Sequence, residues 1–141
     1  MSTSPKRKMR LMVAGGGTGG HLFPGLAVAD VWAKSTDHDA VFLGSPTGME
    51  ADVVPKYGYP FFPLESRRLK NSSIKQRIAS LVRMPFIILR AWRIMRQTRP
   101  DCVLGVGGYV SGPAVLAASL SGIPTAVAEQ NARPGLTNRL L

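Results

Sequence analysis

The sequence predicts an α/β fold: a Rossmann-like parallel sheet with helices on both faces. Three observations carry that reading. Short apolar runs bounded by glycine or turn residues alternate with longer helical stretches, the pattern of a parallel sheet wrapped by helices. The runs are apolar throughout, as strands covered on both faces are. Two of them end in glycine-rich turns that open helices.

Taken in order, Arg10–Ala14 and Ala40–Gly44 read as buried strands, and Phe61–Leu64 as a weaker one interrupted by Pro63. Asp101–Val106 and Pro124–Ala128 complete the set. Helices are expected at His21–Ser35, Gly48–Tyr57, Ile74–Arg99 and Val110–Ser121, with another opening near Pro134. Residues 1–9 form a basic tail ahead of a domain spanning 10–141. Right-handed crossovers gather the loops that leave the strands along one sheet edge, where ligands bind in open α/β folds. The last residues, Thr137 to Leu141, read as the second turn of a helix without a stop signal, so a fragment of a longer chain is expected.

The chain has 141 residues, with 45% hydrophobic content, 15 glycines and 11 prolines, a composition that excludes a disordered polyelectrolyte. A single cysteine, Cys102, excludes a disulfide framework and an all-cysteine metal site, and fits a reducing compartment. No apolar run approaches the ~20 residues needed to cross a bilayer. The net charge of +10 is unevenly placed. Lys6, Arg7, Lys8 and Arg10 lie in the first ten positions, and ten more basic residues fall between Ser66 and Arg99, where there is no acid. Such a block implies an anionic partner: nucleic acid, a phosphorylated substrate or an acidic membrane.

Gly15, Gly17 and Gly20 satisfy G-x-G-x-x-G between a strand and a helix. There, backbone N–H groups can approach a phosphate at the positive helix end. A nicotinamide or flavin site needs an acid at the end of the second strand, but the chain reads Leu43-Gly44-Ser45-Pro46, with no carboxylate until Glu50. A P-loop needs Lys-Ser/Thr where His21-Leu22 stands. His21 directly follows the loop, and a neutral imidazole there can accept a proton. Gly105-Val-Gly-Gly-Tyr109, with Ser111 after it, repeats the arrangement and suits a diphosphate. The fifth strand exits into Glu129-Gln130-Asn131, groups suited to a base or to sugar hydroxyls, or to capping the next helix.

Together these segments resemble one family. Gly-Gly-Thr-Gly-Gly-His21 with Pro24, Met49-Glu-Ala51, Gly105-x-Gly-Gly-Tyr-x-Ser-Gly-Pro113 and Glu129-Gln-Asn…Pro-Gly-Leu-Thr-Asn-Arg139 are similar to the MurG family of peptidoglycan N-acetylglucosaminyltransferases. The resemblance runs from about Arg10 to the last residue and implies the N-terminal, acceptor-side half of a GT-B glycosyltransferase. It further implies transfer of GlcNAc from UDP-GlcNAc to the C4 hydroxyl of undecaprenyl-diphospho-MurNAc-pentapeptide, with inversion and without a metal or other cofactor. By the same resemblance His21 and Glu129 are the catalytic candidates, and Thr18, Gly19, Gly20 and Asn131 match donor-contacting positions. Gly17, Gly107, Gly108, Tyr109 and Ser111 fall on the side of the acceptor diphosphate. Many members carry histidine before Glu-Gln-Asn where this chain has Ala128, which weakens the case for Glu129 relative to His21.

On a helical wheel for Ile74–Arg99, Ile74, Ile78, Leu81, Ile88, Leu89, Trp92 and Met95 gather on one side, the expected core face. Lys75, Arg83, Arg90 and Arg93 fall elsewhere with Phe86 among them, a pattern that suits docking on anionic lipid. With the lipid-linked acceptor of the family, this places the protein peripherally on the cytoplasmic face of the bacterial inner membrane. A nucleic-acid-binding module is the competing reading, disfavoured because stacking aromatics and a recognised motif are missing.

Overall fold

A computed structural model of the chain describes residues 7–36, 38–65 and 73–129. Five strands, β1 (Arg10–Gly15), β2 (Asp39–Gly44), β3 (Phe61–Pro63), β4 (Cys102–Gly107) and β5 (Thr125–Val127), form one sheet in the order β3-β2-β1-β4-β5. All four pairings are parallel. The helices are α1 (Gly19–Thr36), α2 (Glu50–Lys56), α3 (Ile74–Thr98) and α4 (Ser111–Leu120). Every expected element among the described residues is present, with ends shifted by one or two residues. The helix expected near Pro134 lies outside the described residues, as do Asn131 and the rest of the segment from Gln130 onward.

Strand alternation divides the core in two. From β1, Leu11 and Val13 face one layer with Leu22, Leu26 and Ala29 of α1, Phe42 of β2 and Val54 of α2. Met12 and Ala14 face the other, with Leu43 of β2, Val103 of β4, Ala91 and Met95 of α3, and Ala114, Val115, Ala117 and Ala118 of α4. Both faces of the central strands are therefore apolar, which is why the runs show no polar alternation. The amino edge of the sheet is tied by charge: the Arg10 backbone N–H donates to Asp101 and its guanidinium to the Thr98 carbonyl, while Arg7 pairs with Asp101.

One expectation about α3 is corrected. Ile74, Ile78 and Leu81 do not join the core but are 76%, 57% and 69% exposed, and Leu89 and Trp92 are 41% and 38% exposed, with Arg96 over the Trp92 ring. The helix packs instead through Ala91, Met95 and Thr98, with Ile87, Ile88 and Ile94 partly buried. For Ile74, Ile78 and Leu81 length is the reason. At ~1.5 Å per residue, its 25 residues run about 37 Å, whereas a six-residue strand spans about 20 Å. Thr98 is fixed at the amino edge by Arg10. Counting back from there, about 20 Å of helix is used up near Pro85. The turns before Pro85 extend past the carboxyl edge, beyond any strand that could cover them.

Candidate functional site

The sheet order reverses between β1 and β4, and their carboxyl ends open the crevice where α/β folds bind ligands. The two glycine loops meet there, and they form one composite rather than two separate cradles. Gly16 N–H donates to the Gly107 carbonyl at 3.2 Å. A Cβ on Gly15 would collide with that same carbonyl, and one on Gly108 would stand 2.5 Å from the Gly16 carbonyl oxygen. Glycine at these positions is demanded by backbone-to-backbone approach as well as by φ values of +137° and +84°.

His21 closes the junction. It lies half-buried in the first turn of α1, which begins two residues earlier than the sequence suggests. Its imidazole lies against the second loop: a Cβ on Gly107 would be 2.7 Å from Nδ1 and 2.8 Å from Cε1. The Thr18 carbonyl accepts from the N–H groups of His21 and Leu22, so Gly19 and Gly20 head the helix. Among the described residues their N–H groups are the unpaired donors of that first turn, on the exposed side of the loop with Thr18.

Three of the residues expected to contact the acceptor diphosphate are differently engaged. Gly17 is exposed, but its N–H donates to Glu50 Oε2 at 2.9 Å and is not open to a phosphate. Ser111 is fully buried at the start of α4, and a Cβ on Gly105 would come 2.5 Å from its Oγ. The hydroxyl is turned into the α4–β4 contact, without a hydrogen-bond partner among the described residues. Tyr109, 37% exposed, and half-buried Gly108 remain on the open side of the second loop, whereas Gly107 is buried beneath His21. Glu129 is half-buried just past β5, whose register is carried one residue further when Ala128 N–H donates to the Gly105 carbonyl. That bond brings the Glu129 backbone to the same carboxyl edge as the loops.

The residue that sequence reasoning passed over is Glu50. It is 1% exposed at the head of α2, and its second oxygen accepts from Ser45 N–H at 2.9 Å. With both oxygens engaged by backbone N–H groups, it is not available to hold ribose hydroxyls, so a dinucleotide site loses its one nearby acid. Among the described residues no group of three or more metal-ligating side chains comes together. Away from this edge, burial and then the hydrogen bond to Asp30 push Tyr59 up to about 12.

Lys75, Arg83, Phe86, Arg90 and Arg93 are all exposed, as expected, with Phe86 at 70%. The exposed Ile74, Ile78, Leu81 and Val82 enlarge this surface into a mixed apolar and basic patch that runs from the overhang of α3 along the exposed face continuing it. No helix among the described residues is long and apolar enough to cross a membrane.

Comparison with known proteins bears on this edge. Residues 11–141 match the glycosyltransferase family 28 N-terminal domain. A protein of Anaeromyxobacter dehalogenans (strain 2CP-1) named UDP-N-acetylglucosamine--N-acetylmuramyl-(pentapeptide) pyrophosphoryl-undecaprenol N-acetylglucosamine transferase is 54% identical over 94% of this chain and 35% of its own length. A Myxococcus xanthus protein of the same name is 47% identical, with the same coverage. The chain thus spans about a third of the curated relatives it matches. Among solved structures, Acinetobacter baumannii MurG superposes with a TM-score of 0.79 at 36% identity, over 95% of this chain and 38% of that one. The calicheamicin glycosyltransferase CalG4, at 19% identity and a TM-score of 0.64 over 95% of this chain and 36% of its own, shares the fold.

Proposed function

The chain belongs to the glycosyltransferase family 28 N-terminal domain family, and on that premise we propose that it is the acceptor-side half of an inverting N-acetylglucosaminyltransferase. The donor is UDP-GlcNAc, and the acceptor is the C4 hydroxyl of undecaprenyl-diphospho-MurNAc-pentapeptide. One observation carries the reading: His21 is held at the junction of two interlocked glycine loops, beside the open N–H groups of Gly19 and Gly20. A proton acceptor next to preorganised donors is what transfer between a hydroxyl and a sugar nucleotide needs.

In this reading the acceptor oxygen attacks the anomeric carbon of GlcNAc from the face opposite UDP. The bond to the UDP oxygen breaks, its electron pair leaves with UDP, and the hydroxyl proton passes to His21. Thr18, Gly19, Gly20 and Asn131 contact the donor, while Gly108 and Tyr109 face the acceptor diphosphate. Glu129 is the alternative base. The donor pocket is completed by the part of the enzyme that the relatives carry beyond this length.

The overhang of α3 supports peripheral docking on the anionic cytoplasmic face of the inner membrane. Its basic residues alternate with exposed aliphatic and aromatic side chains, which suits a lipid surface better than a nucleic-acid backbone. Since the overhang extends from the same edge as the glycine loops, docking would bring the crevice to the lipid-linked acceptor.

The test is turnover by the full-length protein with UDP-GlcNAc and the lipid-diphosphate acceptor. Loss of a positioned general base costs about 10²–10⁴-fold, so His21→Ala should lower kcat by that order. Wild-type kcat in His21→Ala, with loss in Glu129→Gln, would move the proton to Glu129. No turnover by the wild type would overturn the substrate assignment.

A further inference from the structure

We propose that Glu50 is a positioning residue for this site: its buried carboxylate holds the first glycine loop in the conformation that presents His21 and the α1 N–H groups. The proposal rests on the glycosyltransferase reading for the role of those groups, but its structural basis is independent. Glu50 is almost wholly buried, and each oxygen accepts one backbone N–H at 2.9 Å, from Gly17 in the first loop and from Ser45 after β2. The carboxylate therefore clamps two loops that are 28 residues apart in sequence, from Gly17 to Ser45.

The surrounding glycines are fitted to it. A Cβ on Gly16 would stand 2.5 Å from the Glu50 carboxyl carbon, and one on Gly44 would stand 2.5 Å from Cγ. A Cβ on Gly48 would collide with the carboxyl group itself. Three backbone segments thus leave room for one side chain, an arrangement beyond what a glycine turn needs. Among the described residues no Lys or Arg forms an ion pair with Glu50, so its partners are the two amides alone. Charge-assisted bonds of this kind are short, directional and costly to break when buried.

Glu50 does not touch the reacting atoms, and its effect passes through Gly17 to Thr18, Gly19, Gly20 and His21, the next four residues. It also sets where a phosphate can bind. With the Gly17 N–H already occupied and a negative charge beneath it, a diphosphate is directed away from Gly17 toward the head of α1 and the second loop.

Glu50→Gln tests this in the full-length protein. The carboxamide turns an NH2 toward one of the two backbone donors, so one bond is lost while shape is kept. Amide hydrogen exchange at Gly17 or Ser45 should accelerate roughly tenfold or more. Displacement of the loop by about 1 Å should lower kcat on the order of 100-fold. Gly48→Ala is the second variant, because it pushes the carboxylate without removing its charge, and it should act in the same direction. Folded variants with wild-type kcat and wild-type exchange at both amides overturn the proposal. If both variants fail to fold, Glu50 serves the fold rather than the site, and the proposal falls as well. A wild type that folds but does not turn over overturns the functional reading, and the exchange data then decide alone whether Glu50 holds the loop.

Discussion

The contact between His21 and Gly107 can be measured by stability alone, without substrate. Gly107→Ala carries two costs. The backbone has φ +99°, and an L-residue in left-handed territory loses roughly 1–2 kcal/mol. The new Cβ also falls 2.7 Å from His21 Nδ1, and overpacking of that kind costs roughly 1–3 kcal/mol. Gly122→Ala gives a lower bound on the first cost, because Gly122 has φ +70° just past α4, nearer the ordinary left-handed region than Gly107, and nothing within 4 Å of its would-be Cβ. The gain from stiffening the unfolded chain, about 0.4–1 kcal/mol, is common to both and cancels in the difference. Net of that gain, Gly107→Ala should destabilise by roughly 1–4.6 kcal/mol and Gly122→Ala by roughly 0–1.6 kcal/mol. In a His21→Ala background the imidazole is gone, and Gly107→Ala should then keep only its backbone cost. The coupling between positions 21 and 107 should be roughly 1–3 kcal/mol, read by urea denaturation as a midpoint difference of about 1 M. Coupling under about 0.5 kcal/mol is the additivity expected of independent sites, and would refute the close approach of the two loops.

Two further outcomes are expected. Phe86→Glu should lower partition onto anionic vesicles about tenfold or more, through loss of an apolar ring and addition of like charge, while Val31→Glu on the exposed face of α1 should not; equal binding by all three proteins would argue against the α3 overhang as the docking face. Tyr59, whose hydroxyl donates to Asp30, should ionise near 12 rather than 10, and in a spectrophotometric titration Asp30→Asn should lower it only part of the way back, because burial, the larger cause, remains. Because the folded protein holds this proton more tightly than the unfolded chain, the stabilisation is present below pH 10 and is lost as pH rises from 10 toward 12.

What could be read in the sequence followed from covalent neighbourhood. The strands are apolar on both sides because Leu11 and Val13 face one helix layer and Met12 and Ala14 the other, and that doubling is visible as a run. His21 was legible as a group held beside a helix start. The overhang of α3 was not, because the wheel shows an apolar stripe without showing where the sheet ends. Comparing the length of the helix with that of the strands would have exposed it.

Glu50 was hidden for a different reason. Its partners are backbone N–H groups, which every residue but proline has, so no side-chain pattern marks them. The available signal was indirect: Gly44 and Gly48 on either side of a carboxylate that opens a helix. The same fact changes what the glycines mean. Read along the chain, each rich turn suggested a phosphate cradle. In the structure, Gly15 and Gly108 make room for the opposing loop, Gly107 for His21, and Gly16, Gly44 and Gly48 for Glu50. Glycine density therefore marks where the backbone segments and the two buried-side groups converge. Among the described residues, the donors this packing leaves unpaired at that turn are the N–H groups of Gly19 and Gly20, and they are what the proposed function assigns to a phosphate.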